Sequence, residues 1–282
     1  TYILTLSCND VRGIVAAVSG FLAENGGFII ESAQFGDAST SKFFLRIEFS
    51  TEGEKPSLEE FKSLFQQKIA DIFAMKWNLH DKSKKFRLLV MVSKYGHCLN
   101  DILHRVASGN LAVEIPVVVS NHNDFKELVE WYKIPFHYLP IEQGKKSEQE
   151  AKLLELIKQY NIDLVTLARY MQVLSPDLCN ALSGRAINIH HSFLPGFKGA
   201  KPYSQAFDRG VKLIGATAHY VTADLDEGPI IEQEITRVDH SYKPAELEAV
   251  GRDTESMVLA RAIKYHIEQR VLINGNKTVV FR

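Results

Sequence analysis

Apolar positions recur along the chain in two styles that change near residue 85. Residues 2–7 alternate as a strand, and a polar loop from Asn9 to Gly13 follows. Ile14, Val15, Val18, Phe21 and Leu22 then fall on one face of a helix that Gly26 and Gly27 stop. Residues 28–35 and 42–49 read as two strands joined by a polar turn. Ser57 and Glu60, after Pro56, form a capping box that opens a helix with Phe61, Leu64, Phe65 and Ile69 inward. A strand over 75–80 closes the order βαββαβ, which predicts a compact α+β unit over residues 1–82 with a ferredoxin-like arrangement.

After a short basic linker, Asp81 to Lys85, strands and helices alternate. Strands are expected over 86–92, 113–120, 136–139, 162–168, 186–189, 214–221 and 230–238. Helices are expected over 98–107, 124–131, 151–160, from Ser175-Pro176 onward, over 202–208 and over 244–270. The third of these carries a capping box at Ser147 and Glu150, and Ser175 and Pro176 suit N-cap and first-turn positions. A hairpin turning at Asn274-Gly275-Asn276 ends the chain. Repeated βα units predict a mostly parallel, Rossmann-like sheet over 83–282, covered on both faces, so the fold class is α/β.

Composition narrows the function classes. The 282 residues are 45% hydrophobic and 24% charged, with a formal net charge of −1, so nothing global draws the chain to nucleic acid or anionic lipid. No apolar run approaches the ~20 residues a membrane span needs, and Thr1 opens no signal-peptide pattern. Cys8, Cys98 and Cys179 lie far apart, outside metal-ligand spacing, which fits reduced thiols in a cytoplasmic protein. No HExxH or clustered cysteines support a zinc hydrolase, so no metal is expected.

Candidate chemistry gathers in two stretches. In Ile187-Asn188-Ile189-His190-His191-Ser192-Phe193-Leu194-Pro195-Gly196-Phe197-Lys198-Gly199, a buried strand breaks into polar residues and a turn. Asn188 and His190 are two apart and share a face, at a strand end where open α/β sheets bind ligands. An amide donor beside an imidazole suits chemistry at a carbonyl; a satisfied polar pair in a tight turn is the plainer alternative. His191 is expected on the opposite face, in packing. The second stretch runs from His219 through Thr222 to Asp226-Glu227-Gly228-Pro229, where Asp226 is best placed to turn inward.

Together these motifs resemble the folate-dependent formyltransferase family over residues 86 to about 240. The resemblance implies a catalytic set of Asn188, His190 and Asp226, with the first two stabilising an oxyanion and Asp226 as general base. It also implies a folate loop of Arg169, Tyr170, Met171, Gln172, Val173 and Leu174, with His219 and Thr222 beside it. No cofactor is implied, since 10-formyltetrahydrofolate is the substrate. In family members that formylate a phosphorylated amine, the first βα loop is glycine-rich. Here it reads Ser93-Lys94-Tyr95-Gly96-His97, and Tyr95 and His97 are expected to block that acceptor. Members acting on tRNA add a basic C-terminal domain that these residues do not resemble. Water is left as acceptor, as in the branch of the family that hydrolyses the formyl group. A transferase using another amine, or a folate sensor without turnover, remains a rival.

The N-terminal order, with Asp10-Val11-Arg12-Gly13-Ile14-Val15 between strand and helix, resembles the ACT domain. By that resemblance Asn9, Asp10, Gly13, Asn25 and Gly26 are candidate contacts for an amino-acid effector. Asp10 as a helix cap and Gly13 as a plain turn are the structural alternatives. ACT modules pair side by side, which implies a homo-oligomer, a dimer of dimers or a hexamer.

Overall fold

The structure, a computed structural model, describes residues 1–51, 57–196 and 202–282. Pro56 and the Phe197, Lys198 and Gly199 end of the central motif lie outside the described residues.

Two compact units emerge: Thr1–Lys84 with Glu268–Asn274 and Val279–Arg282, and Lys85–Ile267 with Gly275–Thr278. The first unit therefore takes back most of the chain's last residues, which a single cut at 82/83 does not capture. It contains β1 (Tyr2–Asn9), α1 (Ile14–Glu24), β2 (Gly27–Asp37), β3 (Lys42–Thr51), α2 (Leu58–Phe65) and β4 (Lys76–Asp81). The strands form an antiparallel sheet in the order β2-β3-β1-β4. Ser57 and Glu60 close the capping box on α2. A five-residue π turn, Gln66–Ala70, extends that helix and keeps both Ile69 and Ala70 buried. Phe21 meets Phe61 and Phe65 edge-on at 5.3 Å, the geometry aromatic rings prefer. The returning tail has an electrostatic reason. Arg46, 1% exposed on β3, donates to Glu31 at 2.8 Å and to the Glu268 carbonyl at 3.1 Å, while Arg270 donates to the same Glu31.

Four of the five residues marked as effector contacts, Asn9, Gly13, Asn25 and Gly26, have structural roles in this unit. Gly13 sits at φ +92° as the N-cap of α1, with no side-chain cap, so Asp10 does not cap that helix. Asn9 accepts from Lys42 Nζ at 2.7 Å. Asn25 donates to Phe21 O at 2.8 Å and Gly26, at φ +73°, turns the chain out of α1.

The second unit starts with β5 (Phe86–Val92), α3 (His97–Ala107), β6 (Val113–Ser120), α4 (Lys126–Trp131), β7 (Phe136–Tyr138) and α5 (Lys146–Gln159). It continues through β8 (Leu164–Leu167), α6 (Pro176–Ala181), β9 (Ala186–His190), α7 (Pro202–Arg209), β10 (Leu213–Tyr220), β11 (Ile230–Arg237) and α8 (Pro244–Ile267). Its seven-stranded sheet runs β11-β10-β9-β8-β5-β6-β7. The β9-β8-β5-β6-β7 part is parallel, and β10 runs antiparallel to both its neighbours. β5 is flanked by β8 on one side and β6 on the other, so the chain reverses its direction of travel there, the place where open sheets leave a crevice.

One expected cap is corrected. α5 begins at Lys146, two residues earlier than the Ser147–Glu150 box predicts, and its N-cap Lys145 makes no side-chain capping bond. Glu150 is buried and instead accepts from Ser175 N at 2.8 Å. It thereby fixes the start of α6, where Ser175 caps Leu178 N and Pro176 follows. No described helix is long and apolar enough to cross a membrane.

Candidate active site

A cavity of about 270 Å³ opens beyond the ends of β8 and β9. Asn188, His190, Asp226, His219, Thr222 and every residue from Arg169 to Leu174 line it. All eleven residues assigned to catalysis or folate from the sequence therefore meet around one space.

Local structure explains the convergence. Asn188 and His190 project from one face of β9, and the β9–β10 register places Asn188 opposite His219 and Thr217 opposite His190. The turn after β9 is anchored because Leu194 N donates to Thr217 Oγ1 at 3.0 Å and Gln233 donates to Leu194 O at 3.1 Å. Asp226 arrives from a separate loop and adopts φ +57°, a left-handed conformation that turns its carboxylate inward. Gly228 allows the loop to close: a Cβ there would fall 1.7 Å from Tyr220 O.

Hydrogen-bond partners assign the tautomers. His190 Nδ1 is 3.2 Å from Asp226 Oδ2, and a carboxylate accepts, so Nδ1 carries the proton. His190 Nε2 has no partner among the described residues. His219 Nδ1 donates to Tyr220 O at 2.9 Å, which leaves Nε2 to accept from Asn188 Nδ2 at 3.3 Å. Among the described residues the second N–H of the Asn188 amide meets no partner and can serve a ligand. Hydrogen bonding from His190 holds the Asp226 carboxyl well below the usual carboxylate range. His219 Nε2, which accepts from Asn188, lies 3.6 Å from Asp226 Oδ1 and has no proton to give it.

The Arg169–Leu174 loop is clamped to the end of β5. Ser93 N donates to Arg169 O at 3.2 Å, Met171 N donates to Ser93 Oγ at 3.0 Å, and Ser93 Oγ donates to Asn121 at 2.7 Å. Tyr170 is buried with its hydroxyl held by Gln149 at 2.9 Å, whereas Met171 and Val173 are exposed at 50% and 54%, free to cover an apolar ligand. Neither Ser93 nor Asn121 stood out in the sequence, because one small polar residue at a strand end is common.

One expectation changes. His191 does not face away: the strand ends at His190, alternation lapses, and the His191 ring lies 5.3 Å from that of His190 on the cavity wall. Tyr95 and His97 do not line the cavity. The Arg169 guanidinium lies 5.1 Å over the Tyr95 ring, and His97 Nε2 bonds Glu255 at 2.7 Å. Glu255, 1% exposed on α8, also accepts from Tyr203 at 2.5 Å and lies 3.4 Å from Arg169 Nη1. Burial pushes Glu255 up, but His97, Arg169 and Tyr203 together outweigh it and hold the carboxyl low. His97, Cys98 and Glu255 bring ligand atoms within 4.8 Å of one another. Burial and Glu255 raise the Cys98 thiol, and the Arg169 cation occupies the carboxylate, so this donor set does not suit a divalent ion.

Burial, with Arg169 next, lowers His191 to about 4, and burial lowers His266 to about 4. A histidine depressed in the fold gives stability that is full above its unfolded value of 6.5 and lost as pH falls toward 4. Each ring then removes on the order of 2 kcal/mol by about pH 5. The melting temperature should fall between pH 7 and pH 5, and His266→Gln, which keeps a partner for Tyr220 Oη, should remove about half of that slope. An unchanged slope in calorimetry would reassign the acid sensitivity.

Residues 86–263 match the family model described as Formyl transferase. The chain belongs to the formyl transferase family. The formyltetrahydrofolate deformylase of Corynebacterium sp. strain P-1 is 51% identical, covering 100% of this chain and 98% of that one. That of Bacillus subtilis is 51% identical over 99% of this chain and 93% of its own length. The solved structure of a formyltetrahydrofolate deformylase from Burkholderia mallei superposes with a TM-score of 0.95 at 51% identity, covering 100% and 99% of the two chains. These formyl transferase relatives extend over the N-terminal unit as well, beyond the residues the family model matches.

Proposed function

We propose that this chain hydrolyses 10-formyltetrahydrofolate to tetrahydrofolate and formate. The observation that carries the proposal is the meeting of Asn188, His190 and Asp226, from two separate segments, in a cavity walled by the Arg169–Leu174 loop. Relatives similar over the whole chain and named as deformylases support the choice of water as acceptor.

Water attacks the formyl carbon and negative charge gathers on the formyl oxygen. The free N–H of Asn188 and the Nε2–H of His190 in its imidazolium form, its Nδ1–H on Asp226, stabilise that oxygen, each donor being worth about 2.7–4 kcal/mol in such a transition state. Asp226 orients the water and receives its proton. A carboxylate of such low proton affinity is a weak base in the empty site. It takes the proton as C–O bond formation makes the attacking water acidic, and hands it on toward N10. N10 departs as an aryl amine. His219 acts on Asn188 by holding the amide's other N–H.

The N-terminal unit is read as an ACT-like regulatory module on its β2-β3-β1-β4 order. Phe28 and Ile30, exposed at 68% and 54% on edge strand β2, suit pairing between copies into a homo-oligomer. An amino-acid effector near Asn9, Asp10, Gly13, Asn25 and Gly26 belongs to the same reading, as do a cytoplasmic location and formate supply to purine synthesis.

Purified protein with 10-formyltetrahydrofolate and no added amine should release formate and tetrahydrofolate in equal amounts. Release that requires an amine would replace hydrolysis by transfer.

A further inference from the structure

Arg169 is held more firmly than a cavity wall requires. It lies two residues beyond the end of the interior strand β8, at φ +63°. Such a left-handed conformation costs a non-glycine residue on the order of 1–2 kcal/mol. The Ser93 backbone N–H on its carbonyl maintains it. The turn breaks strand alternation and brings the side chain, 9% exposed, onto the cavity wall. There the guanidinium rests over Tyr95 and lies 3.4 Å from Glu255. That carboxylate is already hydrogen-bonded by His97 and Tyr203, so it balances the Arg169 charge without engaging its N–H groups. Among the described residues, Arg169 Nε and Nη1 have no hydrogen-bond partner. Leaving a buried donor unmade costs on the order of 1–3 kcal/mol, more when charged, which points to a ligand that completes it.

The proposed hydrolysis makes a ligand of the right chemistry, and the inference rests on that reading. The formyl group enters as a neutral amide. Water adds its oxygen to the carbon, the C–N10 bond breaks, N10 keeps one proton, and formate leaves as an anion with one proton released. A guanidinium favours a planar carboxylate over a neutral amide. We propose that Arg169 is the receiving site for the formate anion, its unused N–H groups donating to the carboxylate oxygens beside His190. The wall then distinguishes charged product from neutral substrate, and formate is a product inhibitor competing with the formyl group. The glutamate tail of a folate carries the same carboxylate chemistry, so the test must separate the two.

Formate inhibition is measured against 10-formyltetrahydrofolate and against 10-formyltetrahydropteroate, which lacks the tail, for wild type, Arg169→Lys and Arg169→Gln. The formate inhibition constant should rise about tenfold or more in Arg169→Gln, less in Arg169→Lys, and equally with both substrates, while inhibition by tetrahydrofolate changes less than about threefold. A raised KM confined to the glutamate-bearing substrate, with formate inhibition intact, assigns Arg169 to the tail and overturns the proposal. Line broadening of ¹³C-formate by wild-type protein needs neither variant nor turnover, and its absence also overturns it. Broadening that depends on Arg169 in a protein without deformylase activity would sink the hydrolysis and leave the anion site standing. Hydrolysis with Arg169-independent broadening would do the reverse.

Discussion

Asp226→Asn should reduce formate release by about 10³-fold while the affinity for tetrahydrofolate changes little. The substitution keeps the volume and lets the side chain still accept from His190, so the cavity wall survives. It removes the negative charge beside the His190 ring and the oxygen that takes a proton from water. Both losses fall on the transition state, so kcat should drop and KM should not. Because hydrogen bonding from His190 holds the native carboxyl low, Asp226 stays ionised as pH falls through the ordinary carboxylate range. Any acid limb in kcat/KM of the wild type must then come from another group, and Asp226→Asn should leave its midpoint in place. Release at the wild-type rate, measured beside tetrahydrofolate binding by fluorescence, would take Asp226 out of the chemistry.

What could be read from residues alone depended on how local each constraint is. β5 and β6 stand where the apolar runs placed them, residues 86–92 and 113–120, since a strand buried on both faces declares itself by composition. Asn188 and His190 were legible because a period of two on a short strand fixes their shared face. The inward turn of Asp226 was suggested by Gly228, yet its φ of +57° is set by close approach to Tyr220, which no sequence pattern states. Ser-x-x-Glu occurs twice with different outcomes. At Ser57 nothing competes for Glu60, and the box closes; at Ser147 the glutamate is taken by Ser175, 25 residues on. The antiparallel β10 was hidden in a run of βα units, because direction depends on where the chain returns. Glu255 was missed altogether. Its signal was a charged residue on the apolar side of α8, between Gly251 and the buried Val258 and Leu259, where only a paired carboxylate is tolerated.

Glu255→Gln should be among the most destabilising substitutions available outside the apolar core. The carboxamide fills the same volume and can still bond His97 and Tyr203, so shape and most hydrogen bonds are kept. What disappears is the counter-charge 3.4 Å from a guanidinium that is itself nearly buried. Removing one partner of a buried ion pair costs about 3–5 kcal/mol, because the survivor's desolvation is no longer offset. For a domain of this size each kcal/mol moves the melting temperature by about 2–4 °C, so a fall near 10 °C is expected in calorimetry. Arg169→Gln in the Glu255→Gln background should recover part of that loss, since no isolated charge remains, and the double-mutant cycle should be strongly non-additive. Formate should also raise the melting temperature of Glu255→Gln more than that of the wild type, because an anion on Arg169 replaces the missing carboxylate charge. Additive single effects with equal response to formate would mean that Glu255 and Arg169 are neighbours without being a pair.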